Sequence, residues 1–165
     1  GVDGLEIYGD ADPRNAAQRL GVIPFNMKGK SHYIVAAILG HEFGIGGRNG
    51  CFCAHPYLLE IMQVSESEAL QVRKSILEGD RSSIPGLVRI SFGLYNTLAE
   101  VDAVVYALKQ IARDEYKGEY VQDISTGEFT PQGWEPGFKE YLGELSIHVI
   151  ERSADEQNLL REKSV

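Results

Sequence analysis

Val88-Arg89-Ile90-Ser91-Phe92-Gly93-Leu94, followed at once by Asn96-Thr97-Leu98-Ala99-Glu100, decides the fold class. The first run alternates, so as a strand it puts Arg89 and Ser91 on one face and Ile90 and Phe92 on the other. Thr97 and Glu100 then stand at the spacing of a capping box, ahead of an apolar-periodic stretch. Val101, Val104, Val105, Leu108 and Ile111 supply the buried stripe of a helix reaching about Tyr116. A half-buried strand feeding an amphipathic helix is the unit of a sheet covered by helices.

Working outward toward the N-terminus, Leu5-Glu6-Ile7-Tyr8 alternates and closes on Gly9-Asp10, which predicts another strand. Asp12 to Arg19 reads as polar connecting sequence. Val22 to Met27 predicts a second strand, and its Pro24 points to an edge position. Ser31 is placed to cap a helix from about His32 to Phe43, with Ile34, Val35, Ile38 and Leu39 on its core face and Gly40 and Gly44 marking its end. Pro56 opens a short helix carrying Leu58, Leu59, Ile61 and Met62. Ser65-Glu66-Ser67-Glu68 forms a second capping box before a polar, peripheral helix to about Glu78. Gly79 to Gly86 reads as loop. Beyond the helix after Thr97, Lys117 to Phe138 is polar and broken by Gly127, Pro131, Gly133, Pro136 and Gly137. Leu145 to Ile150 suits a last strand or a buried helix end, and Ala154 to Lys163 an exposed terminal helix. The expected fold is α/β of the α+β type: a small mixed, largely antiparallel sheet with helices packed on it. Residues 1–116 form its domain, and residues 117–165 an extension packed on the same domain.

The chain has 165 residues, 43% hydrophobic and 24% charged, enough for one domain with a real core. Its formal net charge of −8 repels phosphate backbones and anionic lipid, which argues against nucleic-acid and membrane-surface partners. No apolar run reaches the roughly 20 residues of a spanning helix. Asp3, Glu6 and Asp10 stand where a signal peptide would need a basic and then an apolar segment, so a cytoplasmic location is expected.

The chemistry-bearing residues cluster in Gly44-Ile45-Gly46-Gly47-Arg48-Asn49-Gly50-Cys51-Phe52-Cys53, whose glycine density marks a sharply turned backbone. Cys51 and Cys53 are the only cysteines, too close together for a disulfide framework. In an extended segment both thiols would face one cavity. With His55 they make Cys-x-Cys-x-His, a set of metal-ligand types, but no second ligand pair stands elsewhere in the chain. Two small buried hydrophobes, or a loop nucleophile whose thiolate Arg48 favours, account for them equally well. Arg89, within an alternating strand, is either an ion-pair partner or a carboxylate clamp.

Arg48-Asn49-Gly50-Cys51-Phe52-Cys53-Ala54-His55-Pro56, followed by Arg89-Ile90-Ser91 and then Tyr95-Asn96-Thr97-Leu98-Ala99-Glu100-Val101-Asp102, resembles a known pair of motifs. They are similar to those of the C-terminal small domain of class V aminotransferases, in the cysteine desulfurase and selenocysteine lyase-like branch. That family shows Arg-x-Gly-x-x-Cys-Ala-x-Pro and then Arg-x-Ser-x-x-x-Tyr-Asn-Thr-x-x-Glu-(Val/Ile)-Asp. The resemblance runs over about residues 1 to 115.

It implies a catalytic role for Cys53 as the thiol that accepts sulfur as a persulfide. It implies substrate binding by Arg89, on the α-carboxylate, and by Arg48 as a second active-site arginine. Two departures stand out. Histidines usually precede the family's cysteine, whereas here the run is Cys51-Phe52-Cys53, as in molybdenum-cofactor sulfurase relatives, so either thiol suits the acceptor role. The segment from Cys53 to Arg89 is also longer than in that branch.

The resemblance further implies pyridoxal phosphate, held as a Schiff base by a lysine of a large domain in the full-length protein. No lysine here has that lysine's sequence context, so the chain is expected to be a fragment, inactive alone and without covalently bound cofactor. An amino-acid substrate, a sulfur-acceptor protein and a homodimeric full-length enzyme complete the expectation. Two other readings stay open. One is other class V chemistry, by an aminotransferase or lyase whose thiols are structural. The other is a non-catalytic interaction or sulfur-carrier domain, for which Tyr120, Phe129, Trp134 and Phe138 offer exposed aromatics unless they wrap back onto the core.

Overall fold

A computed structural model describes residues 1–137. The strand or helix end expected at 145–150, the helix expected at 154–163, and Phe138 lie outside the described residues. Gly1–Gln132 form one compact unit; the second, Gly133–Val165, is described only through Gly137.

Four strands build the main sheet: β1 (Leu5–Ile7), β2 (Val22–Met27), β3 (Arg48–Gly50) and β4 (Leu87–Ser91). They pair antiparallel throughout, in the order β1-β2-β4-β3. Register sets Ile23 against Ile90 and Phe25 against Val88. Alternation therefore sends those four side chains to one face, where α1 (His32–Phe43) and α4 (Leu98–Ala112) cover them. Phe25, Val88 and Ile90 join Val35, Ile38 and Leu39 of α1 and Ala107, Leu108 and Ile111 of α4 in a single core. The opposite face carries the row Pro24, Arg89, Arg48 across three strands.

Pro24 lies inside the sheet, between β1 and β4, and not at the edge its lack of an N–H suggests. Its carbonyl accepts the Tyr8 N–H at 3.0 Å, so its nitrogen also faces the β1 side, where a proline costs one bond. Arg19 Nη2 donates to the Tyr8 carbonyl at 3.4 Å and replaces that bond. The polar connection before β2 is itself ordered: Pro13–Gln18 form a short 3-10 helix, with the Asp12 side chain accepting the Arg14 N–H at 2.9 Å.

α1 starts at Ser31, whose Oγ accepts the Ile34 N–H at 3.3 Å. It runs through Gly40 and stops at Gly44, whose φ of 64° is the left-handed conformation a glycine C-cap supplies. α4 opens on the expected capping box, with the Thr97 N–H donating to Glu100 Oε2 at 2.6 Å. It ends at Ala112, one turn short of Tyr116. Its buried line is Val104, Ala107, Leu108 and Ile111, which leaves Val105 turned outward and exposed. Between β3 and β4 lie α2 (His55–Ile61) and α3 (Glu66–Leu77). Both halves of the Ser65/Glu68 capping box form, and α3 buries no residue fully while exposing Leu70 and Leu77, so it is peripheral.

The stretch after α4, read as polar and irregular, contains a hairpin of β5 (Tyr120–Gln122) and β6 (Phe129–Pro131). Its turn is held by Asp123, which accepts the Ser125 N–H at 2.8 Å, and by Gly127, where a Cβ would come within 2.5 Å of the Tyr33 ring. Glu42 at the end of α1 fastens the approach to β5: its carboxylate accepts the N–H groups of Lys117 at 2.9 Å and Gly118 at 2.8 Å and the Tyr120 hydroxyl at 3.1 Å. Tyr120 thus wraps back onto the core and Phe129 is half-buried.

Candidate functional site

β3 and β4 present Arg48 and Arg89 as direct cross-strand partners. Gly47 precedes β3, and there a Cβ would already touch the Arg89 carbonyl at 3.4 Å, so the approach to the pair is close. Arg48 is exposed and Arg89 half-buried. Among the described residues no carboxylate pairs with Arg89, and its buried Nε has no hydrogen-bond partner. The ion-pair alternative for Arg89 is therefore not what these residues form.

The loop leaving β3 turns sharply. Gly50 has φ of 100°, and Phe52 and Cys53 follow at 51° and 62°, in the left-handed region that side-chain-bearing residues rarely occupy. The Ala54 N–H closes the turn on the Cys51 carbonyl at 2.8 Å. This geometry separates the thiols, correcting the expectation that an extended segment would aim both at one cavity. Cys51 is buried and its Sγ donates to the Pro85 carbonyl at 3.0 Å, whereas Cys53 is exposed. Burial pushes the Cys51 thiol above its ordinary range, the opposite of what a nucleophile at neutral pH needs. Cys51 and His55 instead border an apolar cavity of about 400 Å³ between α2, α3 and the Ile84-Pro85 segment. Among the described residues no three His, Cys, Asp or Glu side chains are grouped to hold a metal.

Phe52, passed over in the sequence, is central to the arrangement. The Arg89 Cζ lies 4.9 Å and the Arg48 Cζ 5.9 Å from the centroid of its ring. Both guanidiniums thus share one aromatic ring, whose π electrons attract them.

A second group missed in the sequence fixes the loop from behind. Gly86 packs so closely that a Cβ there would fall 2.7 Å from both the Gly50 Cα and His32 Nε2. His32 is buried, and its Nε2 lies 2.9 Å from the Ile84 carbonyl, which can only accept, so that nitrogen carries the proton. Burial lowers the His32 pKa against the opposing effect of that hydrogen bond. The Pro85-Gly86 pair was visible as loop, but its contact partners lie far away in sequence.

The model of the family described as "Aminotransferase class-V" matches residues 1–104. The chain belongs to the class V aminotransferase family. Among curated proteins it is similar to the cysteine desulfurase of Escherichia coli O8, 35% identical over 113 residues, covering 68% of this chain and 21% of that protein. It is likewise 36% identical over 109 residues to a Staphylococcus epidermidis protein described as "Probable cysteine desulfurase", covering 66% of this chain and 20% of the relative. Among solved structures, the apo cysteine desulfurase of Thermococcus onnurineus NA1 matches with 30% identity and a TM-score of 0.46, covering 67% of this chain and 21% of that one. The chain thus spans about a fifth of the length of these relatives. Among its described residues no helix is long and apolar enough to cross a membrane.

Proposed function

We propose that this chain is the small, substrate-closing domain of a pyridoxal-phosphate enzyme of the cysteine desulfurase type. In this reading Arg89 and Arg48 hold the α-carboxylate of L-cysteine, and Cys53 accepts its sulfur. The observation that carries the reading is the contrast within the turn that leaves β3 and the Arg48–Arg89 pair: Cys53 is exposed, whereas Cys51 is buried and hydrogen-bonded to Pro85, and neither arginine has a carboxylate partner among the described residues.

The described lysines do not fit the cofactor's anchoring role. Lys30 is held by the Asp114 carboxylate, Lys74 pairs with Glu78 one helical turn away at 3.9 Å, Lys109 belongs to the helix layer, and Lys117 lies on the approach to β5, where its backbone N–H donates to Glu42. Lys28 lies four residues beyond Pro24, about 13 Å at the rise of a strand. In this reading the anchoring lysine belongs to the large domain of the full-length enzyme. This chain supplies the carboxylate fork and the thiol.

The Cys53 thiolate attacks the substrate sulfur, an S–S bond forms as the C–S bond breaks, and the electron pair returns to carbon. That carbon takes a proton, leaving alanine and a persulfide on Cys53. An acceptor protein or a small thiol then removes the terminal sulfur. The full-length protein is expected to be a cytoplasmic homodimer.

The test is an assay of alanine and sulfide from L-cysteine with the full-length enzyme. Cys53→Ala should abolish both products, while Cys51→Ser should retain them. Turnover surviving in Cys53→Ala but lost in Cys51→Ser would transfer the role to Cys51. Survival in both would return the reading to another class V reaction.

A further inference from the structure

The same residue that separates the two cysteines also binds both arginines. Phe52 sits at φ 51°, a conformation its side chain disfavours, so something must hold the turn in place. The Cys51 hydrogen bond to Pro85 fixes one end. At the other end Cys53, itself left-handed at φ 62°, is exposed. The hold between them is the Phe52 ring against the guanidiniums, at 4.9 Å from Arg89 and 5.9 Å from Arg48.

We propose that Phe52 is a positioning residue that ties the cysteine turn to the carboxylate clamp, so that a carboxylate bound at Arg89 loosens the turn and frees Cys53. This rests on the reading of Arg89 as the carboxylate-binding group. The attraction between a guanidinium and a ring face depends on the net charge of the cation. A carboxylate bound at the Arg89 guanidinium neutralises that charge. The ring is then held less tightly. The turn relaxes from two left-handed residues toward an extended loop, and the thiol moves away from the β3 edge. The thiol is thereby released when substrate is bound and kept close to the sheet when it is not.

The probe is the alkylation rate of Cys53 by neutral iodoacetamide in the full-length protein, read by peptide mass spectrometry, with L-alanine as the carboxylate ligand. With Phe52 present, saturating L-alanine should raise the rate about two- to fivefold, the Boltzmann factor of one exposed cation–π contact. Phe52→Leu, similar in bulk but without a π face, should react at the raised rate without L-alanine and show no further rise with it. Phe52→Tyr should restore the response. Electrostatics alone would act the other way, because a bound carboxylate removes positive charge near the thiol and slows alkylation.

Equal rates for Phe52→Leu and the parent in the absence of ligand, or slowing by L-alanine in both, would overturn the proposal. Binding of L-alanine is read separately, from the Arg89 Nε–H resonance. Absence of any shift there would overturn the clamp reading, while the ligand-free Phe52→Leu rate would still decide the anchoring role of the ring.

Discussion

Arg48 and Arg89 face each other directly across the β3–β4 ladder, two like charges on a cross-strand pair with the Phe52 ring within cation–π reach of both and no carboxylate partner among the described residues. Such a pair is destabilising for a sheet. The two arginines are not equivalent. The Arg48 guanidinium is at the outer limit of cation–π range and its side chain is exposed, so Arg48→Thr mainly relieves repulsion. Its urea midpoint should rise, with a gain of about 0.5 kcal/mol. Arg89 is half-buried and closer to the ring, and Arg89→Ala should lose about 1 kcal/mol. Both variants should weaken carboxylate binding. A destabilised Arg48→Thr protein would contradict this account of the pair.

The two thiols should differ sharply under native conditions. Cys51 is buried and hydrogen-bonded, and Cys53 is exposed, so brief alkylation followed by peptide mass spectrometry should label Cys53 well before Cys51. Cys51→Ser keeps a donor for the Pro85 carbonyl. Cys51→Ala leaves that carbonyl unserved and should cost about 1 kcal/mol. Equal labelling of both thiols would disprove the turn geometry.

The hairpin is held by an ionised carboxylate and should be acid-labile. Partial burial raises the Glu42 pKa, but the N–H groups of Lys117 and Gly118 and the Tyr120 hydroxyl outweigh it and hold the group below its ordinary value of 4.5. A depressed folded pKa contributes stability that is present above the unfolded value and is lost as pH falls through the folded one. Hydrogen exchange at the Lys117, Gly118 and Tyr120 amides should therefore accelerate selectively below about pH 4.5, relative to β2 and β4, with Glu42→Gln exchanging fast at pH 7.

His32 should give a second, separate pH dependence. Burial holds its pKa below the ordinary 6.5 despite the hydrogen bond to Ile84, so the unfolded chain takes up a proton that the folded one does not. The contribution of neutral His32 is complete above 6.5 and declines as pH falls below it. The urea midpoint should drop between pH 7 and 5.5, and His32→Gln should flatten that slope. Its neighbour Gly86 has no room for a methyl group, and Gly86→Ala should cost about 1–3 kcal/mol by overpacking.

Much of the scaffold was legible because it follows local rules. Ser31, Ser65 and Thr97 are capping side chains, Gly44 supplies a left-handed terminus, and the strand alternation around Arg89 assigns its faces without any long-range information. What escaped depends on contacts between distant segments. Pro24 is tolerated inside the sheet because Arg19 serves the Tyr8 carbonyl, and the hairpin after Lys117 orders because Glu42 lies far upstream. At the site, the family motif named Cys53, Arg48 and Arg89, and the register brings the two arginines together. The reversal of Cys51 and Cys53 escaped because it comes from two left-handed residues that carry side chains, which composition does not signal. Phe52 carried no signal of its own in the sequence, since only the folded turn and the strand register bring its ring to both guanidiniums.

The most direct test of the central claim is to incubate the full-length enzyme with L-cysteine, trap sulfur species with a differential alkylating reagent, and locate the added sulfur by peptide mass spectrometry. The account predicts a mass increment of one sulfur on Cys53, none on Cys51, and loss of the increment in Arg89→Gln. Sulfur found on Cys51, or alanine formed with no persulfide on either thiol, would contradict it.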